Sequence, residues 1–263
     1  MANTLNISLI QTELAWEDKQ ANLDRLAAKI RSLPAGAEVV VLPEMFSTGF
    51  SMRPEVLAEK MDGSTVGWMR ALSAEKRIIL TGSVIIEENG QYYNRLLWVL
   101  PDGKVGMYDK KHLFAFAGEH EHYAPGSRRF IASVNGWRLN MMVCYDLRFP
   151  VWARQQIEDG PEYDVLVYVA NWPERRSIAW KTLLRARAIE NQCYVIGVNS
   201  VGADGNGIMH SGDSTVIDPM GEILYEKANV EDVVTLSLER EVLDAARRKL
   251  PFLGDADPFM LLS

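Results

Sequence analysis

Apolar, strand-like runs alternate with amphipathic helical stretches along this chain, and short hairpin turns keep interrupting the alternation. LNISLIQ (5–11) reads as a strand. Residues 17–32 place Ala21, Leu23, Leu26, Ala27 and Ile30 at helical spacing, and AEVVVLPE (37–44) is a continuous apolar strand of the kind buried on both faces. A second helix fits 64–76. Residues 77–110 then read as three strands, because Asn89-Gly90 and Asp102-Gly103 are turn dipeptides that reverse a chain between strands. A hairpin about Asn135-Gly136, a helix over 150–158, a strand over 163–170 and a helix over 175–191 follow. CYVIGVNSVG is a strand, Asp218-Pro219-Met220-Gly221 centres another hairpin, DVVTLSL is a strand and 239–249 a last helix. Hairpins mixed into an α/β alternation predict a mixed sheet, or two stacked sheets, with helices outside. No repeat, low-complexity segment or linker divides the 263 residues, so a single domain over 1–263 is expected.

Composition narrows the function. Hydrophobic residues make up 48% and charged residues 24%, enough to bury a full core. The formal net charge of -7 argues against nucleic acid or an anionic membrane surface as partner, since both need concentrated positive charge. No apolar run approaches the roughly 20 residues of a bilayer span, and no basic stretch leads into an apolar one at the N-terminus. A reducing, cytoplasmic compartment is therefore expected, where Cys144 and Cys193 stay free thiols.

Cys144 ends the apolar run LNMMV and begins a polar turn, YDLRFP. That is a place for a nucleophile, with turn N–H groups able to face an oxyanion, and equally for an inert buried cysteine. Cys193 opens an apolar strand and reads as core. A thiol nucleophile needs a base. His112, His120 and His122 fall in the long loop 110–128, so a cysteine–histidine pair is possible, and so is a metal site from the three, although their spacing matches no zinc pattern. A carboxylate raised by burial can also serve, and Glu44 stands just past a strand that should be buried on both faces. A buried lysine could pair with it and polarise a carbonyl oxygen, and Lys110 and Lys111 end a strand.

VVLPEMF with Glu44, YDKKHLF with Lys110 and MMVCYDLRFP with Cys144 resemble the three signature segments of the nitrilase (carbon–nitrogen hydrolase) superfamily, in its order and at its separations. The resemblance runs from residue 5 to about 240 and includes ANWP and LLRARAIENQCYVIGVNSVG. It implies a four-layer α-β-β-α sandwich with mixed sheets and helices outside, paired as a homodimer, with no metal or organic cofactor. It places the lysine on Lys110, two residues before His112, and a second glutamate on Glu119, six before Pro125-Gly126, with Glu121 competing. The implied roles are Glu44 as general base, Cys144 as nucleophile, Lys110 and the N–H of Tyr145 as oxyanion donors, and Glu119 as the group orienting Lys110 or the departing ammonia. A thioester forms and water releases the acid.

CYDLRFP, GFSM and NGIMHSGDS look closest to the bacterial omega-amidase branch, which hydrolyses the terminal amide of 2-oxoglutaramate and 2-oxosuccinamate. Val151 follows R-F-P, where other amidase branches tend to carry Glu. Such a small-molecule substrate bears a carboxylate, which needs a cation or N–H donors. Arg148, Arg175 and Arg176 are candidates, and Phe116, Trp172 and Tyr145 are candidate pocket walls. Arg148 could instead pair with Asp146 or Glu190. Arg187 and Glu190, three apart on a helix, read as a structural pair. Another small-amide or N-carbamoyl amino acid hydrolase is the alternative within this chemistry, and a catalytically silent ligand-binding relative the alternative outside it.

Overall fold

The computed structural model describes residues 2–157 and 160–261. Among them, one sheet is built from β1 (Thr4–Gln11), β2 (Val39–Val41), β3 (Ile79–Glu88), β4 (Gln91–Val99) and β5 (Val105–Asp109). The second sheet holds β6 (Ile131–Val134), β7 (Trp137–Val143), β8 (Val165–Ala170), β9 (Tyr194–Asn199), β10 (Val201–Ala203), β11 (Met209–Ile217) and β12 (Ile223–Ala228). The last strand, β13 (Asp232–Glu239), returns to the edge of the first sheet beside β1. The helices are α1 (Lys19–Arg31), α2 (Pro54–Leu57), α3 (Ser64–Lys76), α4 (Glu119–His122), α5 (Pro150–Ala153), α6 (Ser177–Asn191) and α7 (Arg240–Lys249). Strand order is β13-β1-β2-β3-β4-β5 in one sheet and β10-β11-β9-β8-β7-β6 in the other, with β12 on β11. Both sheets are mixed: β1-β2-β3 and β7-β8-β9 run parallel, and the hairpin neighbours run antiparallel.

Period-two alternation sorts the first sheet's side chains into two cores. Leu5, Ile7, Leu9, Val39, Val41, Leu96 and Trp98 join the strands of the second sheet in one cluster. Their neighbours Ile10, Val40, Leu42, Leu97 and Val99 instead meet Leu23, Leu26 and Ile30 of α1 and Val66, Met69 and Leu72 of α3. On the far side, α6 lays Trp180, Leu184 and Ala188 onto β9 and β11. The layers run helix, sheet, sheet, helix, as the resemblance implies. Turn chemistry is as read: Asn89 and Gly90, and Asn135 and Gly136, all take positive φ in two-residue hairpins.

Some boundaries differ. The strand expected over 37–44 is regular only at Val39–Val41; its ladder bonds run on to Glu38 and Leu42 and stop at Pro43, which has no N–H to donate. The helix expected over 150–158 is the single turn α5, with residue 158 outside the described residues. Gln155 ends it by tertiary bonding. Its N–H donates to Asn191 Oδ1 at 3.0 Å and its side chain to the Asn191 carbonyl at 2.6 Å. The loop over 110–128 contains a 3₁₀ turn, Ala115–Ala117, and α4.

Candidate active site

Strand ends from both sheets converge on one buried cluster. Glu44 lies beyond β2 and is 0% exposed. The next residue, Met45, takes φ 43°, and its N–H donates to Ser83 Oγ at 2.8 Å. That bend turns the Glu44 carboxylate inward. Lys110 follows β5, 1% exposed, with its N–H on the Asn94 carbonyl and its own carbonyl accepting from Gly126 N at 2.9 Å. A Cβ on Gly126 would sit 2.0 Å from the Asp109 carbonyl oxygen, so only glycine lets the chain pass so near Lys110. Glu119, on α4, is 0% exposed, while Glu121 is exposed.

The ammonium of Lys110 donates to Glu44 Oε1 at 2.9 Å and to Glu119 Oε2 at 2.8 Å. Asn94 on β4, which the sequence reading missed, donates to Glu44 Oε1 at 2.8 Å and to Glu119 Oε1 at 3.2 Å. Asn171, beyond β8 and also missed, donates its N–H to Glu44 Oε2 at 2.9 Å and its side chain to the Glu44 carbonyl at 2.6 Å. Phe114 N donates to Glu119 Oε2 at 2.5 Å. Burial works against the Lys110 charge, but Glu119 and Glu44 outweigh it and hold the ammonium well above its ordinary range. Burial, reinforced by Glu44, raises Glu119.

Cys144 directly follows β7 with φ 41°, a left-handed backbone unusual for a side-chain-bearing residue. Asp146 fixes this turn. Its carboxylate accepts from Val143 N at 3.0 Å, Tyr108 OH at 2.7 Å and His112 N at 3.0 Å. His112, a candidate base on sequence, is occupied here too: its Nδ1 lies 2.8 Å from Asp146 and its ring stacks on Phe149 at 3.9 Å. His120 and His122 are exposed on α4, and among the described residues no three potential ligands group as a metal site. Cys144 is 9% exposed, and burial together with the Glu44 charge pushes its thiol well up. Cys193 is fully buried, as read.

Above the thiol lies a cavity of about 250 Å³, lined by Lys110, Cys144 and Asn171 at its floor. Tyr145 and Trp172 form walls, and Phe116, 80% exposed, stands at the rim. Arg148, Arg175 and Arg176 also line it. Arg148 does not pair with Asp146, whose oxygens are taken as above, nor with Glu190, which binds Arg187 at 2.9 Å; its guanidinium lies 4.9 Å over the Trp172 ring. His210, 5% exposed, closes the wall from β11. Asn94 and His210 gave one sequence signal, a polar residue inside a strand pattern, but nothing to say what it faces.

The sequence model of the carbon-nitrogen hydrolase family matches residues 6–248. The chain is 44% identical over 258 residues to omega-amidase YafV of Escherichia coli strain K12, covering 98% of each. It is 31% identical over 252 residues to 2-oxoglutaramate amidase of Bacillus subtilis strain 168, covering 95% of this chain and 96% of that one. Its fold matches, at TM-score 0.96, the crystal structure of a CN-hydrolase superfamily protein from Xanthomonas campestris with an arsenic adduct in the active site. That protein is 44% identical, with 99% of this chain and 100% of the other covered. The buried glutamate, lysine and cysteine therefore sit in a chain that belongs to the carbon–nitrogen hydrolase family.

Proposed function

We propose that this hydrolase cleaves the terminal amide of a small 2-oxo acid amide, 2-oxoglutaramate or 2-oxosuccinamate, to the dicarboxylate and ammonia through a thioester on Cys144. The observation that carries the reading is the buried Cys144 side chain beside Glu44 and Lys110, at the floor of a small cavity whose mouth holds three arginines. A cavity of about 250 Å³ lies below the about 300–1,000 Å³ of sites for drug-sized ligands, which suits a short acid amide. The kinship with omega-amidase YafV and 2-oxoglutaramate amidase supports the same class.

In this reading Glu44 takes the thiol proton as sulfur attacks the amide carbon. The raised thiol makes prior ionisation costly, so proton transfer and attack are coupled. The tetrahedral oxyanion is held by the Lys110 ammonium and the Tyr145 N–H. Glu44 returns the proton to nitrogen, the C–N bond breaks and ammonia leaves. Water then gives a proton to Glu44 and attacks the thioester; the C–S bond breaks and the thiol recovers its proton. Glu119 holds Lys110 in place throughout. The working form is a cytoplasmic homodimer.

Ammonia release from 2-oxoglutaramate, measured beside L-glutamine, an aliphatic nitrile and an N-carbamoyl amino acid, with Cys144→Ala as blank, tests the substrate. Turnover of the 2-oxo amide, absent in Cys144→Ala, is expected. Turnover of only an N-carbamoyl or other amide would keep the nucleophile and discard the substrate.

A further inference from the structure

We propose that Arg176, laid against the ring of Phe114, binds the substrate carboxylate, and that Arg148 and Arg175 do not. This deepens the 2-oxo acid amide reading and rests on it. The three arginines share the cavity mouth, and among the described residues none of them forms an ion pair. Their settings differ. Arg175 is exposed, so water screens its charge. Arg148 is half-buried, with its guanidinium 4.9 Å from the centre of the Trp172 ring, and what sets Arg176 apart from it is a pair of supports. Arg176 is half-buried, with its guanidinium 5.0 Å from the centre of the Phe114 ring.

Two supports fix Arg176. Its carbonyl accepts the Trp172 indole N–H at 2.8 Å, which ties the turn before α6 to the cavity wall. Phe114 is itself tied to the reacting cluster, because its N–H donates to Glu119 Oε2. One short chain of contacts therefore links the cation to the Lys110 ammonium, and it sets the span between a bound carboxylate and the reacting carbon. Burial first, then the charges of Arg175 and Arg148, lower the proton affinity of Arg176. A like-charge group of this kind, facing the nucleophile, is relieved by a carboxylate, and the planar fork can take that carboxylate by two hydrogen bonds.

The test has two readouts on the full chain. One is kcat and KM for 2-oxoglutaramate. The other is the concentration of 2-oxoglutarate that half-protects Cys144 from iodoacetamide, followed by peptide mapping. Arg176→Gln is expected to lower kcat/KM by roughly 10- to 100-fold, mainly through KM, and to raise the half-protecting concentration by a similar factor. Arg176→Lys should recover part of both, and Phe114→Leu should weaken both by a smaller factor. Arg175→Gln and Arg148→Gln should each shift protection by less than about threefold. A wild-type response in Arg176→Gln, or a larger loss in Arg148→Gln or Arg175→Gln, would overturn the assignment while leaving the substrate intact. Wild-type protein that neither cleaves 2-oxoglutaramate nor is protected by 2-oxoglutarate, yet cleaves another amide, would overturn the substrate and this assignment together.

Discussion

Cys144 combines a strained backbone with a neutral thiol, and both follow from its surroundings. The left-handed φ aims the sulfur at the Glu44 carboxylate, and the same carboxylate then opposes ionisation. In the proposed mechanism, reactivity depends on the base rather than on a standing thiolate. Iodoacetamide labelling of Cys144 should therefore climb steadily between about pH 7 and 9; a plateau near neutrality, followed by mass spectrometry, would contradict the raised thiol. Cys193, fully buried, should stay unlabelled in the folded protein. Cys144→Ser is expected to keep its circular dichroism and lose roughly 10³-fold or more in kcat, because a hydroxyl is much harder to activate with a carboxylate base. Lys110→Ala should abolish turnover, whereas Lys111→Ala, whose ammonium lies over the Trp152 ring at 5.4 Å, should remain near wild type in the same ammonia assay.

Single strands and turns decide where these groups stand. Gly126 is the clearest case: Gly126→Ala drives a methyl into the Asp109 backbone and should destabilise by about 1–3 kcal/mol. It should also cut kcat through displacement of Lys110, measured by urea melts and assays of the same preparation. At the start of α6, Asp213 accepts from Ser177 at 2.7 Å and Lys181 at 2.8 Å. Burial opposes its ionisation, but the hydrogen bonds from Lys181, Ser211 and Ser177 prevail and hold the carboxyl below its usual range. A depressed folded pKa stabilises above the ordinary value of about 4 and loses that contribution as pH falls through the folded value. Asp213→Asn should thus cost about 1–3 kcal/mol at pH 7 and progressively less in acid, read from thermal melts across pH. Local chemistry explains what the sequence disclosed at this scale. Asn-Gly turns and helical spacing are short-range, so the hairpins and α1, α3 and α6 were legible. The ending of α5 was not, because it depends on Asn191, 36 residues from Gln155. Likewise Glu44 and Lys110 were legible as a polar residue beyond an apolar strand and as a motif, but Asn94, which binds two carboxylates, depends on three separate segments meeting.

At the scale of the whole molecule, α6 turns Ile178, 84% exposed, and Ile189 toward solvent; their spacing puts them on one face. The proposed homodimer would cover that face. Sedimentation should give twice the 29.6 kDa chain mass, and Ile178→Glu should shift the population toward the single chain without unfolding it. The groups of the buried cluster divide between the sheets: Glu44, Asn94 and Lys110 belong to the first, Cys144 and Asn171 to the second. In the proposed mechanism, neither half holds base and nucleophile together. On that mechanism a newly made chain would carry an unactivated cysteine until its two halves close on each other, so that hydrolysis would report assembly. Under mild denaturant, turnover should vanish before the helical signal does, because a slight parting of the halves separates sulfur from carboxylate while every strand remains paired.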